Sequence, residues 1–282
     1  MKLDKNTFEK LMEEVNSDLA DEGVPFHARP IQAVIQILNK YKTSGPLVNA
    51  FIKSINYPVT AINLNNHVNE WYSSRYEDTL NIDLSPGRFP ILIDGAPFQC
   101  KIPYIIGKAM IVAGKSVFDN PAIVNAVDFI TDLPSYVRSM LSSEIEGYLQ
   151  SIFITCLEAS KDIKKDKCDL SISAESDAIT SCDLICCNKP NPSLSAWHSL
   201  QFAEKVLKKF ISQTKKYPHT HKIEELRDKA IEVGYYPDPC INWQLFNFPP
   251  AVRYEPNYFN TTEAVAINHE AWRIGYNVLK HL

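Results

Sequence analysis

Apolar side chains recur at spacings of three and four residues in two N-terminal segments of the chain. Between residues 6 and 21 they are Phe8, Leu11, Met12, Val15 and Leu19. Between residues 29 and 41 they are Ile31, Val34, Ile35 and Leu38. This spacing places apolar residues on one face of an α-helix, so the pattern predicts two amphipathic helices. Gly45-Pro46 ends the second, and a shorter helix is predicted at 47–55.

Short β-type runs replace the helical spacing between residues 81 and 102. They cover 81–84, 89–93 and 98–102, and Asp94-Gly95 separates the last two runs. An Asp-Gly pair between two apolar runs is a strong signal for a β-hairpin. The run 104–113 is almost entirely apolar, which fits a buried strand and a buried helix equally well. Helices are predicted further along at 120–131 and 135–160.

The C-terminal part of the chain returns to a helical pattern. The segment 166–192 is rich in Ser, Asp and Cys and ends in Pro-Asn-Pro, which predicts a linker or an inserted loop. An apolar stripe then follows, formed by Trp197, Leu200, Ala203, Leu207, Phe210 and Ile211. Two further amphipathic patterns begin near Thr220 and Thr261. We therefore predict a helical bundle, without a sheet, from about Ser193 onward.

Together these patterns predict an α+β protein that is mostly helical. We expect a mixed α+β domain of unknown role at 1–165, a linker or inserted loop at 166–192, and a helical bundle at 193–282. The predicted helix at 135–160 is a candidate for an additional member of this bundle.

Composition limits the classes of protein that the chain can represent. Its 282 residues are 45% hydrophobic and 22% charged, which are ordinary globular values. The net charge of −4 excludes a basic footprint for nucleic acid along the whole chain. From residue 188 onward, however, 12 Lys and Arg stand against 9 Asp and Glu. This local excess fits either an anionic ligand or ordinary surface variation.

The irregular spacing of the seven cysteines and the absence of a long apolar segment point to a reducing compartment. An odd number of irregularly spaced cysteines argues against a disulfide framework. The first residues lack the apolar stretch of a signal peptide, and no run of 18 apolar residues is present. We therefore expect a cytoplasmic protein that does not bind a membrane.

Three sequence pieces in the last third of the chain carry a resemblance to a known family. The first is Gln201-Phe202-Ala203-Glu204-Lys205-Val206-Leu207-Lys208, the second is Thr220-His221 with Leu226, and the third is Arg253-Tyr254 ahead of Glu263-Ala264. Their order and spacing resemble HEPN (higher eukaryotes and prokaryotes nucleotide-binding) domains. The resemblance implies a helical bundle, often dimeric, that binds nucleotides or RNA. It also implies a place in a toxin–antitoxin or defence-type system.

Some members of the HEPN family are metal-independent ribonucleases, which use an Arg followed by a His after four to six intervening residues. None of the seven arginines in this chain has a His at that distance. Seven residues separate Arg273 from His281, and His269 precedes Arg273 by four positions. These three residues are the candidate catalytic groups, and their spacing argues against the usual nuclease site.

Five residues are candidates for contacts to an anionic ligand: Lys205, Lys208, His221, Arg253 and Tyr254. Ammonium and guanidinium groups suit phosphate, and a tyrosine ring can stack on a base. The alternative interpretation is a solvated lysine face beside an Arg-Tyr pair that packs a loop.

The sequence contains no motif for a structural zinc site, a phosphate-binding loop or a catalytic nucleophile. Cys182, Cys186 and Cys187 form one irregular cluster, whereas structural zinc sites need paired ligands twice over. Glycine-rich phosphate loops and nucleophile elbows are also missing from the sequence. We expect neither a metal nor a cofactor.

Three hypotheses for the function remain open. The first is a HEPN-like homodimer that binds nucleotide or RNA without the usual ribonuclease motif. The second is a ribonuclease whose Arg and His come from different elements or subunits. The third is a helical dimerisation scaffold.

Overall fold

The computed structural model describes residues 5–42, 61–76, 85–105, 109–116, 123–165 and 168–282. Helices predominate there, beside one antiparallel and one parallel two-stranded sheet, which confirms the predicted α+β class. The chain divides into two compact units, Met1–Leu84 and Ser85–Leu282. The predicted domain boundary near residue 165 therefore falls inside the second unit. No described helix has the length and apolar character needed to cross a membrane.

The first unit contains helices α1 (Lys5–Asp21), α2 (Arg29–Lys42) and α3 (Ala61–Tyr76). Helices α1 and α2 confirm the predictions, whereas α3 was not predicted. The core of the first unit consists of apolar residues from all three helices: Leu11, Met12, Val15, Leu19, Ala33, Val34, Ile37, Val68, Trp71 and Tyr72. Ile31 and Ile35, which we expected on the buried face of α2, are exposed. The helix predicted at 47–55 and the β-type run at 81–84 lie outside the described residues.

The second unit opens with the predicted β-hairpin. Strands β1 (Gly87–Ile93) and β2 (Ala96–Ile102) pair antiparallel, with Ile91 opposite Phe98. The turn residues Asp94 and Gly95 both have positive φ angles, 52° and 75°. Two central residues with positive φ match the right-handed twist of the paired strands, so the Asp-Gly prediction is confirmed.

The segment that follows the hairpin differs from the prediction. Strand β3 (Met110–Val112) pairs in parallel with β4 (Ile123–Asn125), and a short 3₁₀ helix (Ala126–Phe129) follows. The helix predicted at 120–131 is therefore wrong from residue 123 onward. The Asn125 side chain donates to Gly114 O at 2.9 Å and accepts from Val127 N at 3.3 Å. Its amide thus satisfies Val127 N, which a helix would have paired internally, and also bonds to Gly114 outside the predicted helix.

The helix predicted at 135–160 is interrupted near its start. Helix α4 covers Ser135–Ser139, and α5 covers Ser143–Lys165. Ser142 Oγ accepts a hydrogen bond from Ile145 N at 3.2 Å, which is the side-chain contact of a helix N-terminus. This local contact starts a new helix after a gap of three residues.

The segment predicted as a linker contains helix α6 (Asp169–Cys186). Its buried positions include the small residues Ser171, Ala174, Ala178 and Ser181. Because these residues are small and partly polar, the helical spacing of apolar residues is weak in the sequence. Their small size also allows neighbouring helices to approach closely. The prediction of a linker or inserted loop at 166–192 is therefore wrong for residues 169–186.

The remaining helices are α7 (Pro192–Ser212), α8 (Ile223–Glu232) and α9 (Thr261–Leu279), with short 3₁₀ turns at Trp243–Phe246 and Pro250–Tyr254. Helix α7 packs between α6 and α9, and α9 also packs against α5. Helices α5, α6, α7 and α9 thus form a four-helix bundle, and β1 lies against it. As predicted, residues 193–282 contain helices and no strand. The bundle to which they belong also includes α5 and α6, which precede residue 193.

Gly275 allows α7 and α9 to approach closely. A Cβ atom added at Gly275 would lie 2.8 Å from Phe202 Cζ. Phe202 is fully buried and packs against the Trp272 ring, so it has little room to move. Overpacking of this kind costs about 1–3 kcal/mol. We therefore expect Gly275→Ala to unfold at a lower urea concentration than the wild type.

Gly147 provides the matched control for this substitution. It lies within α5, is exposed, and has no atom within 4 Å of an added Cβ. Alanine favours a helix over glycine by roughly 1 kcal/mol, so Gly147→Ala should stabilise the protein. An unchanged urea midpoint for Gly275→Ala would contradict the close packing of α7 and α9.

Candidate functional site

One face of α7 carries a row of polar and aromatic side chains. Trp197, Gln201, Glu204 and Lys208 recur at spacings of three and four residues, which places them on the same side of the helix. Glu204 is only 3% exposed, yet its carboxylate accepts from Lys208 Nζ at 2.7 Å and from Gln201 Nε2 at 3.2 Å. His221 Nδ1 lies 3.0 Å from the same carboxylate. Glu204 thus connects α7 to the residues that precede α8.

A second buried carboxylate lies between α6 and α7. Asp177 forms an ion pair with Lys205 and lies 2.8 Å from His198 Nδ1. Each buried carboxylate therefore has one lysine and one histidine as partners. Burying a charge is unfavourable unless it is paired and hydrogen-bonded, and both sites meet this condition.

These ion pairs change the interpretation of the predicted anion site. The ammonium groups of Lys205 and Lys208 are bound to carboxylates, and Lys208 is buried. Arg253 is exposed and contacts other residues. The arrangement in which Lys205, Lys208 and Arg253 share one exposed face is therefore not formed.

Arg253 lies against two aromatic rings. Its Cζ is 5.4 Å from the centre of the Trp197 ring and 4.6 Å from the centre of the Tyr254 ring. Within the described part of the chain, no carboxylate pairs with its guanidinium. Stacking leaves the edges of a guanidinium available, and those edges match the geometry of phosphate. Arg253 thus contacts its sequence neighbour Tyr254 as well as Trp197 of α7.

An aromatic cavity of about 360 Å³ lies beside Trp197. Its apolar walls are Trp197, Leu200, Ile223, Trp243, Phe246 and Phe248. Of the predicted ligand-binding residues, His221 lines the cavity, and Arg253 lies against Trp197, which forms one of its walls. This size and composition are typical of small-molecule sites, which are mostly apolar with a few polar groups.

Helix α9 holds the loop that forms one wall of the cavity. Glu270, which is buried, accepts from Asn242 N at 2.6 Å. Asn277 accepts from the Tyr235 hydroxyl at 2.6 Å and from Asp238 N at 3.2 Å. These hydrogen bonds to helix α9 hold the loop in place.

The candidate catalytic residues do not form a common site within one chain. His281 is exposed beyond the end of α9, beside the Tyr235 ring. Arg273 pairs with Glu270 at 2.8 Å. His281 follows Arg273 by eight positions, which corresponds to roughly 12 Å along a helix axis. Neither residue contacts the other.

His269 has a structural environment rather than a catalytic one. Its Nε2 lies 2.6 Å from Pro90 O, so this nitrogen carries the proton and donates it. Nδ1 then accepts from the Tyr148 hydroxyl at 2.5 Å. Burial lowers the pKa of His269 to about 4, opposed by the Pro90 hydrogen bond and assisted by Arg273. Both nitrogens are occupied, and the imidazole is neutral at pH 7.

Metal binding finds no support among the described residues, which contain no group of three or more His, Cys, Asp or Glu arranged around a common point. Cys182 is buried, and Cys187 is exposed at the end of α6. The interpretation of the cysteine cluster as ordinary thiols is consistent with these positions.

The sequence did not indicate the cavity itself. The sequence pattern places Trp197 in the apolar stripe of α7, and the aromatic residues of the Pro-rich loop, Trp243, Phe246 and Phe248, suit a dimer interface or a cover over the core. The available signal was a run of aromatic residues between prolines outside any helix, at 241–250. Comparison of the chain with protein-family models, with curated proteins and with solved structures finds no match. The resemblance to HEPN domains therefore depends on the sequence motifs alone.

Proposed function

We propose that the second unit is a HEPN-like domain that binds a nucleotide or RNA, with a base in the aromatic cavity and a phosphate at Arg253. The observation that carries this proposal is the double role of Trp197. Its ring lines the cavity and also supports the guanidinium of Arg253, which has no carboxylate partner among the described residues. An apolar pocket beside a guanidinium that no described carboxylate pairs suits a ligand that joins an aromatic base to an anion.

The positions of the three resembling pieces support the family assignment within this proposal. Glu204 of the first piece is hydrogen-bonded to His221 of the second. Arg253 of the third piece contacts Trp197, at the start of the helix that carries the first. A homodimer and a place in a toxin–antitoxin or defence-type system are part of the same proposal, and they depend on the resemblance.

The shape of the cavity favours an unpaired base. A base within a duplex is stacked on both faces and cannot enter a pocket between side chains. Single-stranded RNA or a free nucleotide presents its base without the energy needed to separate stacked, paired bases. Binding without cleavage is the form that we propose, because Arg273, His269 and His281 do not assemble in one chain.

Replacing Arg253 by alanine should weaken binding of a short single-stranded oligoribonucleotide by about tenfold or more, because hydrogen bonds to charged groups contribute about 1.5–3 kcal/mol. Fluorescence anisotropy at several salt concentrations would measure the effect. Loss of one phosphate contact should also reduce the slope of log affinity against log salt by about 0.7. Stability should change by no more than about 0.5 kcal/mol, because Arg253 is exposed.

Lys280→Ala is the matched control for the Arg253 substitution. Lys280 is also an exposed cation over an aromatic ring, that of Tyr276, at the other end of the C-terminal helix. Its removal changes the net charge equally and should leave affinity unchanged. Equal losses in the two variants would indicate a general charge effect and contradict a phosphate site at Arg253.

A further inference from the structure

Tyr254 presents an exposed aromatic ring directly beside the proposed phosphate contact. It is 73% exposed, and the Arg253 guanidinium lies over its ring, with Cζ 4.6 Å from the ring centre. Within the described part of the chain, no second aromatic ring or cation stacks on it. A planar ring has two faces, so the guanidinium covers one face of Tyr254 and the other is open to solvent.

The turn that carries this ring is anchored in the protein. Pro250–Tyr254 forms a 3₁₀ turn that packs against α7, and Val252 within it is fully buried. The buried side chain holds the backbone on which Arg253 and Tyr254 stand. Because that backbone is already ordered, a ligand that stacks on the Tyr254 ring has little loop ordering to overcome.

The Arg253 guanidinium connects this ring to the aromatic cavity. Its Cζ lies 5.4 Å from the centre of the Trp197 ring and 4.6 Å from the centre of the Tyr254 ring. These two distances sum to 10 Å, so the two ring centres are no farther apart than that. Trp197 lines the cavity, whereas Tyr254 does not. The protein therefore offers two separate stacking surfaces that share one cation.

A single strand of RNA has the chemistry that matches this arrangement. Consecutive nucleotides are joined by one phosphate, and bases that are unstacked from each other splay apart across it. Proteins that bind single strands stack successive bases on aromatic side chains and contact the backbone with cations. A mononucleotide has one base and would leave the Tyr254 ring unused, whereas two bases joined by a phosphate use both rings and the cation.

Tyr258 is the other exposed tyrosine of this loop, and its surroundings differ. It is 46% exposed, and the Phe259 ring lies edge-on at 4.9 Å between ring centres. No cation of the described residues lies over the Tyr258 ring. A base stacked there would have no phosphate contact beside it, so Tyr254 is the better platform.

We propose that the ligand is a single strand of at least two nucleotides, with one base in the aromatic cavity, the next base stacked on Tyr254, and the phosphate between them at Arg253. This inference rests on the proposed function, because it assumes that the cavity receives the first base. Tyr254 is then the binding residue for the second base.

Calorimetry on the full chain with the dinucleotide ApA and its two singly abasic forms would test the second base. All three ligands carry the same charge, so differences among them report the bases. We expect each abasic form to bind the wild type about tenfold more weakly than ApA, as the loss of one stacked base implies. In Tyr254→Ala, one of the two abasic forms should bind as tightly as ApA, because the base that it lacks has no ring to stack on. Tyr254→Phe keeps the ring and should behave as the wild type.

Tyr236→Ala is the matched control. Tyr236 is 76% exposed, close to the value for Tyr254, and has no cation or aromatic ring against it among the described residues. Its removal should leave all three affinities unchanged. If Tyr254→Ala weakens ApA and both abasic forms by the same factor, Tyr254 only holds Arg253 in place, and the second-base role is overturned. Unchanged affinities in Tyr254→Ala would overturn it as well.

The two proposals fail in different ways. Wild-type protein for which only one of the abasic forms binds more weakly than ApA would overturn the second base and leave the base in the cavity in place. Wild-type protein that binds neither ApA nor a single-stranded oligoribonucleotide would overturn the proposed function, and the role of Tyr254 with it.

Discussion

Replacing Leu207 by alanine is expected to lower the free energy of unfolding by about 2–5 kcal/mol. Leu207 is fully buried on α7, the helix that packs against α6, α8 and α9. Truncation removes apolar contacts and leaves a cavity, because helices packed on several sides cannot collapse into the space. Urea unfolding followed by circular dichroism would measure the change.

Ile231→Ala provides the comparison for Leu207→Ala. Ile231 lies on α8 and is 43% exposed, so a similar loss of side-chain atoms opens no enclosed cavity. Its effect should stay within about 0.5 kcal/mol, the usual range for surface substitutions. Equal destabilisation by the two substitutions would contradict the central position of α7 in the bundle.

Acidification from about pH 6.5 to pH 4 is expected to remove roughly 3 kcal/mol of stability through His269. Burial lowers the pKa of this imidazole to about 4 in the folded protein, whereas the unfolded chain keeps a value near 6.5. Between these values the unfolded state binds more protons than the folded state. Stability is therefore fully present above the unfolded pKa and is lost as the pH falls toward the folded pKa.

The contacts of His269 explain why protonation is unfavourable. Nδ1 accepts the proton of the Tyr148 hydroxyl, so adding a proton there breaks this hydrogen bond. The Arg273 guanidinium nearby further disfavours a second positive charge. An imidazolium at this position would thus be buried, beside a cation, and without its tyrosine partner.

The measurement is the unfolding free energy of wild type and His269→Gln across pH 4–7. Glutamine does not titrate, and its amide can replace a donor and an acceptor. The variant should therefore show a smaller loss of stability on acidification than the wild type. His281→Gln, which removes an exposed histidine, should follow the wild-type curve. Identical pH profiles for wild type and His269→Gln would show that His269 is not the group responsible.

Local sequence patterns determined a large part of the secondary structure. Helices α1, α2 and α7 to α9 and the β-hairpin follow from apolar periods, prolines and the Asp94-Gly95 turn. These signals act over a few residues, so they need no knowledge of the rest of the chain. They fail where periodicity is weak, as in α6, whose buried face is rich in Ser and Ala.

Contacts between distant parts of the chain determined the burial and the secondary structure that the local patterns predicted wrongly. The exposed positions of Ile31 and Ile35 depend on where α1 and α3 lie against α2, because an apolar residue is buried only if another element covers it. Where the pattern predicts a helix, residues 123–125 pair with β3, and the Asn125 side chain bonds to Gly114, eleven residues earlier. Neither result can be read from a window of neighbouring residues.

The candidate site shows the same division between sequence and tertiary structure. The sequence alone identified Arg253 and His221 as residues suited to an anion, and it placed Lys208 on a helix beside them. Only the fold paired Lys208 with Glu204 and left Arg253 over Trp197 without a carboxylate partner in the described residues. Whether a cation is available to a ligand depends on which carboxylates lie near it in space. That proximity is set by helix packing and loop anchoring, which bring together residues far apart in the chain.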